Sequence, residues 1–149
     1  MKKKLKKLTI IFFILFGSFA NASSIENKIK IGMLIPMTGD NKEIGELIIK
    51  AARLAILDIN TNNLEIYPKD TGSNPDRALR SAKELKDMGI NIVIGPVFYK
   101  SLIYLDEIDD MTFLSLTNKT INIPNNVITS GVNATSQVIA IKKFLELNE

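Results

Sequence analysis

Residues 28–60 read KIKIGMLIPMTGDNKEIGELIIKAARLAILDIN. Lys28 to Lys30 alternate polar with apolar, and the run is then apolar through Ile35. A strand entering the middle of a sheet reads this way, because both of its faces become covered. Pro36 stops the strand. Asp40 to Glu43 has the spacing of a capping box, with Asp40 as N-cap and Glu43 three residues on. Ile44, Ile48, Ala51, Ala52, Ala55 and Ile59 then recur at helical spacing as one apolar stripe, and Asn60 to Asn63 end the helix.

The alternation continues downstream. LEIYP, Leu64 to Pro68, predicts a second strand, and KDTGSN a turn. Asn74 is a good N-cap, and Pro75 sits at the first helical position, where its missing N–H costs nothing. Ala78, Leu79, Ala82, Leu85 and Met88 form the stripe of this second helix, which Gly89 caps. INIVI is a third strand. A short helix is expected from Ser101 to Ile108, ending in acidic residues that the helix dipole disfavours. Thr112 to Leu116 reads as a fourth strand and Val127 to Ser130 as a short fifth. A last helix starts near Thr135. Strands alternating with helices through short loops specify βαβ units with right-handed crossovers. The expected fold class is therefore α/β, a doubly wound, mostly parallel sheet with helices on both faces. Ligands of such sheets bind beyond the carboxyl ends of the strands. The loops there are Met37 to Asn41, Lys69 to Asn74, Pro96 to Ser101 and Thr117 to Asn122.

The chain has 149 residues and a formal charge of +3, a length that suits one domain. Five of its 19 basic residues, Lys2, Lys3, Lys4, Lys6 and Lys7, lie in the first 22 positions, which hold no acid. The remainder carries 14 basic against 16 acidic residues, so no basic stripe is available to replace the counterions of a nucleic acid. The basic head, the apolar stretch Leu8 to Phe16 and Ala20-Asn21-Ala22 have the form of a secretory signal peptide cleaved after Ala22. The apolar stretch is shorter than the ~20 residues of a spanning helix. Residues 23–149 are then the mature chain, expected in the periplasm, and no cysteine follows the cleavage point to carry a lipid. Cysteine and histidine are both absent. That excludes disulfides, thiolate nucleophiles, Cys/His zinc sites and a Ser-His-Asp triad within the chain. The mature chain is long enough to bury roughly 65–70% of its unfolded surface.

Candidate chemistry is sparse. Asp70-Thr71-Gly72 matches the aspartic-protease triplet, but those enzymes are all-β and pair two such carboxylates. Between a strand and a capped helix the triplet reads as turn chemistry. No glycine-rich phosphate loop is present. Lys100 can hold an anion beside the following helix N-terminus or stand solvated. Asp106, Glu107, Asp109 and Asp110 cluster as a metal site would, or as a solvated face. Thr38, Thr71, Tyr99, Ser101, Thr117 and Asn118 lie in the cleft loops. Their hydroxyls, amide and backbone N–H groups suit a small polar ligand, and they equally suit capping helices and filling turns. No catalytic residue, metal ligand or cofactor is assigned.

The stretch from Ile29 to Asn60, with its strand, P-x-T-G, I-G and alanine-containing helix, resembles the start of a type I periplasmic binding protein of the leucine-binding superfamily. YPKDTGSNPDRALRSAKEL, INIVIGPVFYKSL and TFLSLTNK look closer to the penicillin-binding protein activator family, especially its alphaproteobacterial members. The resemblance implies a non-enzymatic binding module whose partner is a peptidoglycan synthase, with a small polar ligand also possible. The alternative it implies is the substrate-binding component of an amino-acid-type ABC transporter, whose partner is a permease. By resemblance, the ligand loops are Tyr99 to Ser101, with Lys100 among them, and Thr117. The chain departs from amino-acid-binding relatives at Tyr99 and Lys100, where they carry small hydroxyl residues. The resemblance further implies that residues 23–149 correspond to the N-terminal lobe of a two-lobed protein, as a fragment, as a truncated gene product or as a lone lobe.

Overall fold

The computed structural model describes residues 28–148. The expected leader, its cleavage point and the lead-in to Asn27 lie outside the described residues. The chain runs β1 (Ile29–Ile35), α1 (Lys42–Ile59), β2 (Leu64–Asp70), α2 (Pro75–Asp87) and β3 (Ile92–Ile94). Two 3-10 turns follow, Tyr99–Leu102 and Leu105–Glu107, then β4 (Thr112–Ser115), β5 (Val127–Thr129) and α3 (Ala134–Glu146). All five strands are parallel, in the order β2-β1-β3-β4-β5. The chain steps from β1 to one side and later to the other. Right-handed crossovers therefore place α1 on one face and α2 with the 3-10 turns on the opposite face. The expected fold class is what the structure has.

The α2 face holds the core. Leu34, Val93, Phe113 and Val127, one from each of four strands, meet Ala82 and Leu85 of α2 and Leu102 and Leu105 of the 3-10 turns. Helix α2 forms as its local signals dictate. The Asn74 side chain accepts from the Arg77 N–H at 3.0 Å, and Pro75 is the first helical residue. The cap residue is Met88, and Gly89 follows it at φ +75°. There Gly89 N–H bonds Lys86 O and Ile90 N–H bonds Leu85 O. This is a Schellman closure, with Ile90 and Leu85 buried together behind it.

The opposite face is organised differently. By register, Pro68, Met33, Ile94, Leu114 and Ile128 form one row across all five strands. Helix α1 lies beside the first two, above a hollow of about 330 Å³ lined in part by Met33, Ile49, Ala52, Ile56 and Pro68. Towards β5 the row is open, with Leu114 and Ile128 38% and 58% exposed.

Several boundaries differ from the sequence expectation, each for a physical reason. Helix α1 has no Asp40 cap. It starts after Asn41 without a side-chain cap bond, since Asn41 sits at φ −103°, ψ 15°, outside the extended conformation of a capping residue, and its amide donates to Ser73 Oγ at 3.1 Å. Its apolar stripe is also turned. Gly45 is the buried position, because a Cβ there would overlap the Pro36 carbonyl, so this close approach fixes the rotation of the helix. Ile44 and Ile59 are consequently exposed, and Ile48, Ile49, Ala52 and Ile56 turn inward. Strand β2 runs on through Lys69 and Asp70, since pairing with Leu34 and Ile35 continues past Pro68. The helix expected from Ser101 to Ile108 is two 3-10 turns. Ile103 and Tyr104 are weak helix formers, and the Asn126 side chain takes the Leu105 and Ile108 carbonyls, each at 2.8 Å. Strands β4 and β5 each end one residue early, at Ser115 and Thr129. Helix α3 is capped by Asn133, whose side chain and that of Ser136 close a reciprocal box. Among the described residues no helix is long and apolar enough to cross a membrane.

Candidate functional site at the carboxyl edge of the sheet

The ends of β1 to β4 bring the four loops to one edge, and Asp70 joins the first two. As the last residue of β2 it faces the loop that leaves β1. Its Oδ1 accepts the N–H groups of Met37 (2.8 Å), Thr38 (3.2 Å) and Gly72 (2.8 Å). Its Oδ2 accepts the Thr38 hydroxyl at 2.6 Å and pairs with Arg77 Nη2 at 2.7 Å. Arg77 Nη1 also donates to Thr38 Oγ1 at 3.1 Å. Partial burial pushes the Asp70 carboxyl up. The Thr38 hydroxyl, the Gly72 and Met37 N–H groups and Arg77 outweigh it, leaving Asp70 below its ordinary value. Asp70 is thus an ionised clamp between two loops. That is the structural content of the D-T-G triplet.

Ser115 joins the third and fourth loops. Its buried hydroxyl donates to Pro96 O at 2.7 Å and accepts the Thr117 N–H at 3.3 Å. Pro96 follows a cis peptide bond from Gly95. Beyond it, Tyr99 stands out from the edge, and the Lys119 ammonium lies 4.2 Å from the centre of its ring, within cation–π range. Tyr99 divides two hollows. One of about 330 Å³ is lined by Asn41, Ser73, Phe98, Tyr99 and Lys100. The other, about 370 Å³, is lined by Tyr99, Leu102, Ile103, Asp106, Lys119 and Pro124, among others.

The sequence candidates fall into three groups. Tyr99 and Lys100 are exposed and line the first hollow. Thr38 is exposed but its hydroxyl is held by Asp70 and Arg77, and Asn118 is exposed in the loop after β4. Thr71, Ser101 and Thr117 are buried. Thr71 Oγ1 accepts the Ser73 N–H and Thr117 Oγ1 the Lys119 N–H, while the Ser101 hydroxyl has no hydrogen-bond partner. The acidic cluster is dispersed. Glu107 pairs with Lys83 and Asp110 with Lys86, and no three potential metal-ligating side chains converge among the described residues. Sequence reasoning missed Asp70 and Ser115 as loop organisers, and Asn41, Ser73 and Lys119 as lining groups. Their partners lie 19 to 33 residues away in most cases, so no local pattern marks them.

Comparisons with known proteins agree with this architecture. The leucine-binding protein LivK of Thermotoga maritima is 19% identical, with a TM-score of 0.62 over 80% of this chain and 37% of its own. LpoA of Haemophilus influenzae is 26% identical, with a TM-score of 0.57 over 71% of this chain and 20% of its own. The LpoA C-domain from the same organism, described as a regulator of PBP1A, is 24% identical, with a TM-score of 0.57 over 69% of this chain and 32% of its own. The chain therefore spans between a fifth and somewhat over a third of the solved structures it resembles. No curated protein matches it. The family model described as periplasmic binding protein matches residues 28–109, more than half of the chain, and the protein belongs to that family.

Proposed function

We propose that this chain is an exported, non-enzymatic binding module that acts by contacting a cell-wall synthase, in the manner of an LpoA-type activator. The reading includes cleavage of the leader after Ala22 and a periplasmic location, with residues 23–149 as an N-terminal lobe. The observation that carries it is the disposition of polar groups at the carboxyl edge. The hydroxyls of Thr38, Thr71, Ser115 and Thr117 are all engaged within the fold. Tyr99 and Lys100 instead project outward. The Ser101 hydroxyl is unpartnered but buried. An edge whose small hydroxyls are buried or engaged internally, and which presents an aromatic side chain outward, suits a protein surface better than a small ligand's charged ends.

The second reading is the substrate-binding component of an amino-acid-type ABC transporter. Its support is the hollow of about 330 Å³ beside Tyr99 and Lys100, at the low end of the ~300–1,000 Å³ that small-molecule sites occupy. Two measurements on the same protein separate the readings. Biolayer interferometry against a purified bifunctional peptidoglycan synthase is expected to give saturable binding, weakened at least tenfold by Tyr99→Ala with Lys100→Glu. A thermal-shift screen of the common amino acids is expected to give no stabilisation. Absence of synthase binding, with saturable stabilisation by an amino acid, would overturn the first reading in favour of the second.

A further inference from the structure

Helix α1 meets the sheet closely at its first turn and stands off it beyond. Of its residues only Gly45, pressed against Pro36, is fully buried, whereas α2 buries Ala78, Ser81, Ala82 and Leu85. The space left beneath α1 is the hollow of about 330 Å³. Met33, Ile66 and Pro68 contribute its floor, and Ala52 and Ile56 its roof. Its lining includes no residue of β3, β4, β5 or α3. The hollow therefore lies over the β1–β2 end of the sheet, walled by two elements of this chain. Arg53 is the one charged residue that lines it. The Arg53 guanidinium makes no ion pair among the described residues. The residues one turn away from it on α1 are Ile49, Lys50, Ile56 and Leu57, none of them acidic. The acids of β2 are engaged elsewhere, Glu65 with Lys28 and Tyr67, and Asp70 in the loop clamp. An apolar hollow thus carries a positive rim with no countercharge.

We propose that this hollow binds one medium-chain carboxylate, its hydrocarbon tail between α1 and the β1–β2 floor and its carboxylate on Arg53. An apolar cavity of ~150 Å³ holds a benzene ring, so the hollow of about 330 Å³ takes a chain of roughly ten to twelve carbons. A guanidinium pairs a planar carboxylate through two parallel hydrogen bonds. Met33, unbranched and polarizable, adapts to a flexible chain. A neutral apolar molecule would leave Arg53 without a partner, and a small anion would leave the apolar walls in water. The two features together select an amphiphile with one negative end. The proposal is independent of the synthase contact, since neither Tyr99 nor Lys100 lines this hollow.

Titration calorimetry of the whole exported protein with fatty carboxylates, each below its micelle concentration, reads the site directly. Dodecanoate is expected to bind saturably at one equivalent. Affinity should rise by about fourfold per carbon from hexanoate to decanoate, then level off once the hollow is full. Arg53 is exposed, so Arg53→Gln should keep the fold. It should weaken decanoate by about tenfold or more and leave the weaker binding of decanol unchanged. Ala52→Phe should abolish binding of both. Ala52→Leu, a smaller filling of the roof, should shorten the chain length at which affinity levels off. Absence of saturable dodecanoate binding overturns the proposal, and this includes the case in which another segment of the protein fills the hollow. So does binding that Ala52→Leu and Arg53→Gln leave unchanged, or affinity that climbs without levelling through hexadecanoate, which marks a non-specific apolar surface. Sedimentation with anionic vesicles, without binding of soluble dodecanoate, overturns it in favour of a membrane surface.

Discussion

Replacing Asp70 by alanine and by asparagine separates the two oxygens of one carboxylate. Alanine removes five contacts, three backbone N–H groups at Oδ1 and the Thr38 hydroxyl and Arg77 at Oδ2. Hydrogen bonds to a charged acceptor contribute about 1.5–3 kcal/mol each in isolation. The donors sit at an exposed edge where water can replace part of each bond. The Arg77 side chain is 44% exposed, so the ion pair adds at most ~1 kcal/mol. The expected cost of Asp70→Ala is therefore about 3–4 kcal/mol. Asparagine keeps the Oδ1 acceptor and its three N–H groups, and loses the ion pair and one acceptor. Its expected cost is about 1–2 kcal/mol. Urea unfolding reads the difference. A gap of ~2 kcal/mol moves the midpoint by about 1 M at the usual slope. Equal midpoints for the two variants would refute the argument, because they would mean that holding the backbone of the β1 loop contributes nothing.

The same carboxylate sets a pH dependence. Its folded-state pKa is depressed, so its contribution is fully present above the unfolded value of about 3.9. The contribution is lost as the pH falls through the folded pKa. Stability of the natural chain should decline below about pH 4, and Asp70→Asn should flatten that decline. Gly45→Ala should destabilise by about 2–3 kcal/mol in urea, since its Cβ overlaps the Pro36 carbonyl and backbone must move. Gly89→Val should cost about 1–2 kcal/mol by thermal unfolding. The space around it is open, and the penalty comes from φ +75° alone; Gly89→Asn should cost distinctly less. Ser115→Ala should lower stability by about 1–3 kcal/mol, because it leaves Pro96 O short of a buried donor.

What was legible in the sequence was local. Helix α2 could be read end to end, because Asn74, Pro75 and Gly89 act on the backbone within four residues of themselves. The strands could be read from their apolar runs, and the parallel sheet from the alternation of strand and helix. The departures came from contacts distant in sequence. The rotation of α1 is set by Gly45 against Pro36, and the same contact decides which apolar residues of α1 face solvent. The length of β2 is set by its register with β1. The candidate site was legible as a set of loops but not as a set of roles. Hydroxyls chosen for a ligand turned out to be bonded to groups up to 39 residues away, while Asp70, dismissed as turn chemistry, joins two loops.

The Asn126 amide has a consequence for the order in which the chain assembles. It supplies two donors to carbonyls 18 and 21 residues earlier, on Ile108 and Leu105, at the end and the start of the second 3-10 turn. Leu105 O also accepts the Ile108 N–H and Ile108 O the Met111 N–H, so the amide gives each carbonyl a second donor. The turn gains this added stability only after the chain has reached position 126 and β5 has begun to pair. The segment between β3 and β4 is thus completed late, by a residue made after it. Its amide protons should exchange together with those of β5, and removal of the Asn126 side chain should release this cooperative unit from the rest of the sheet.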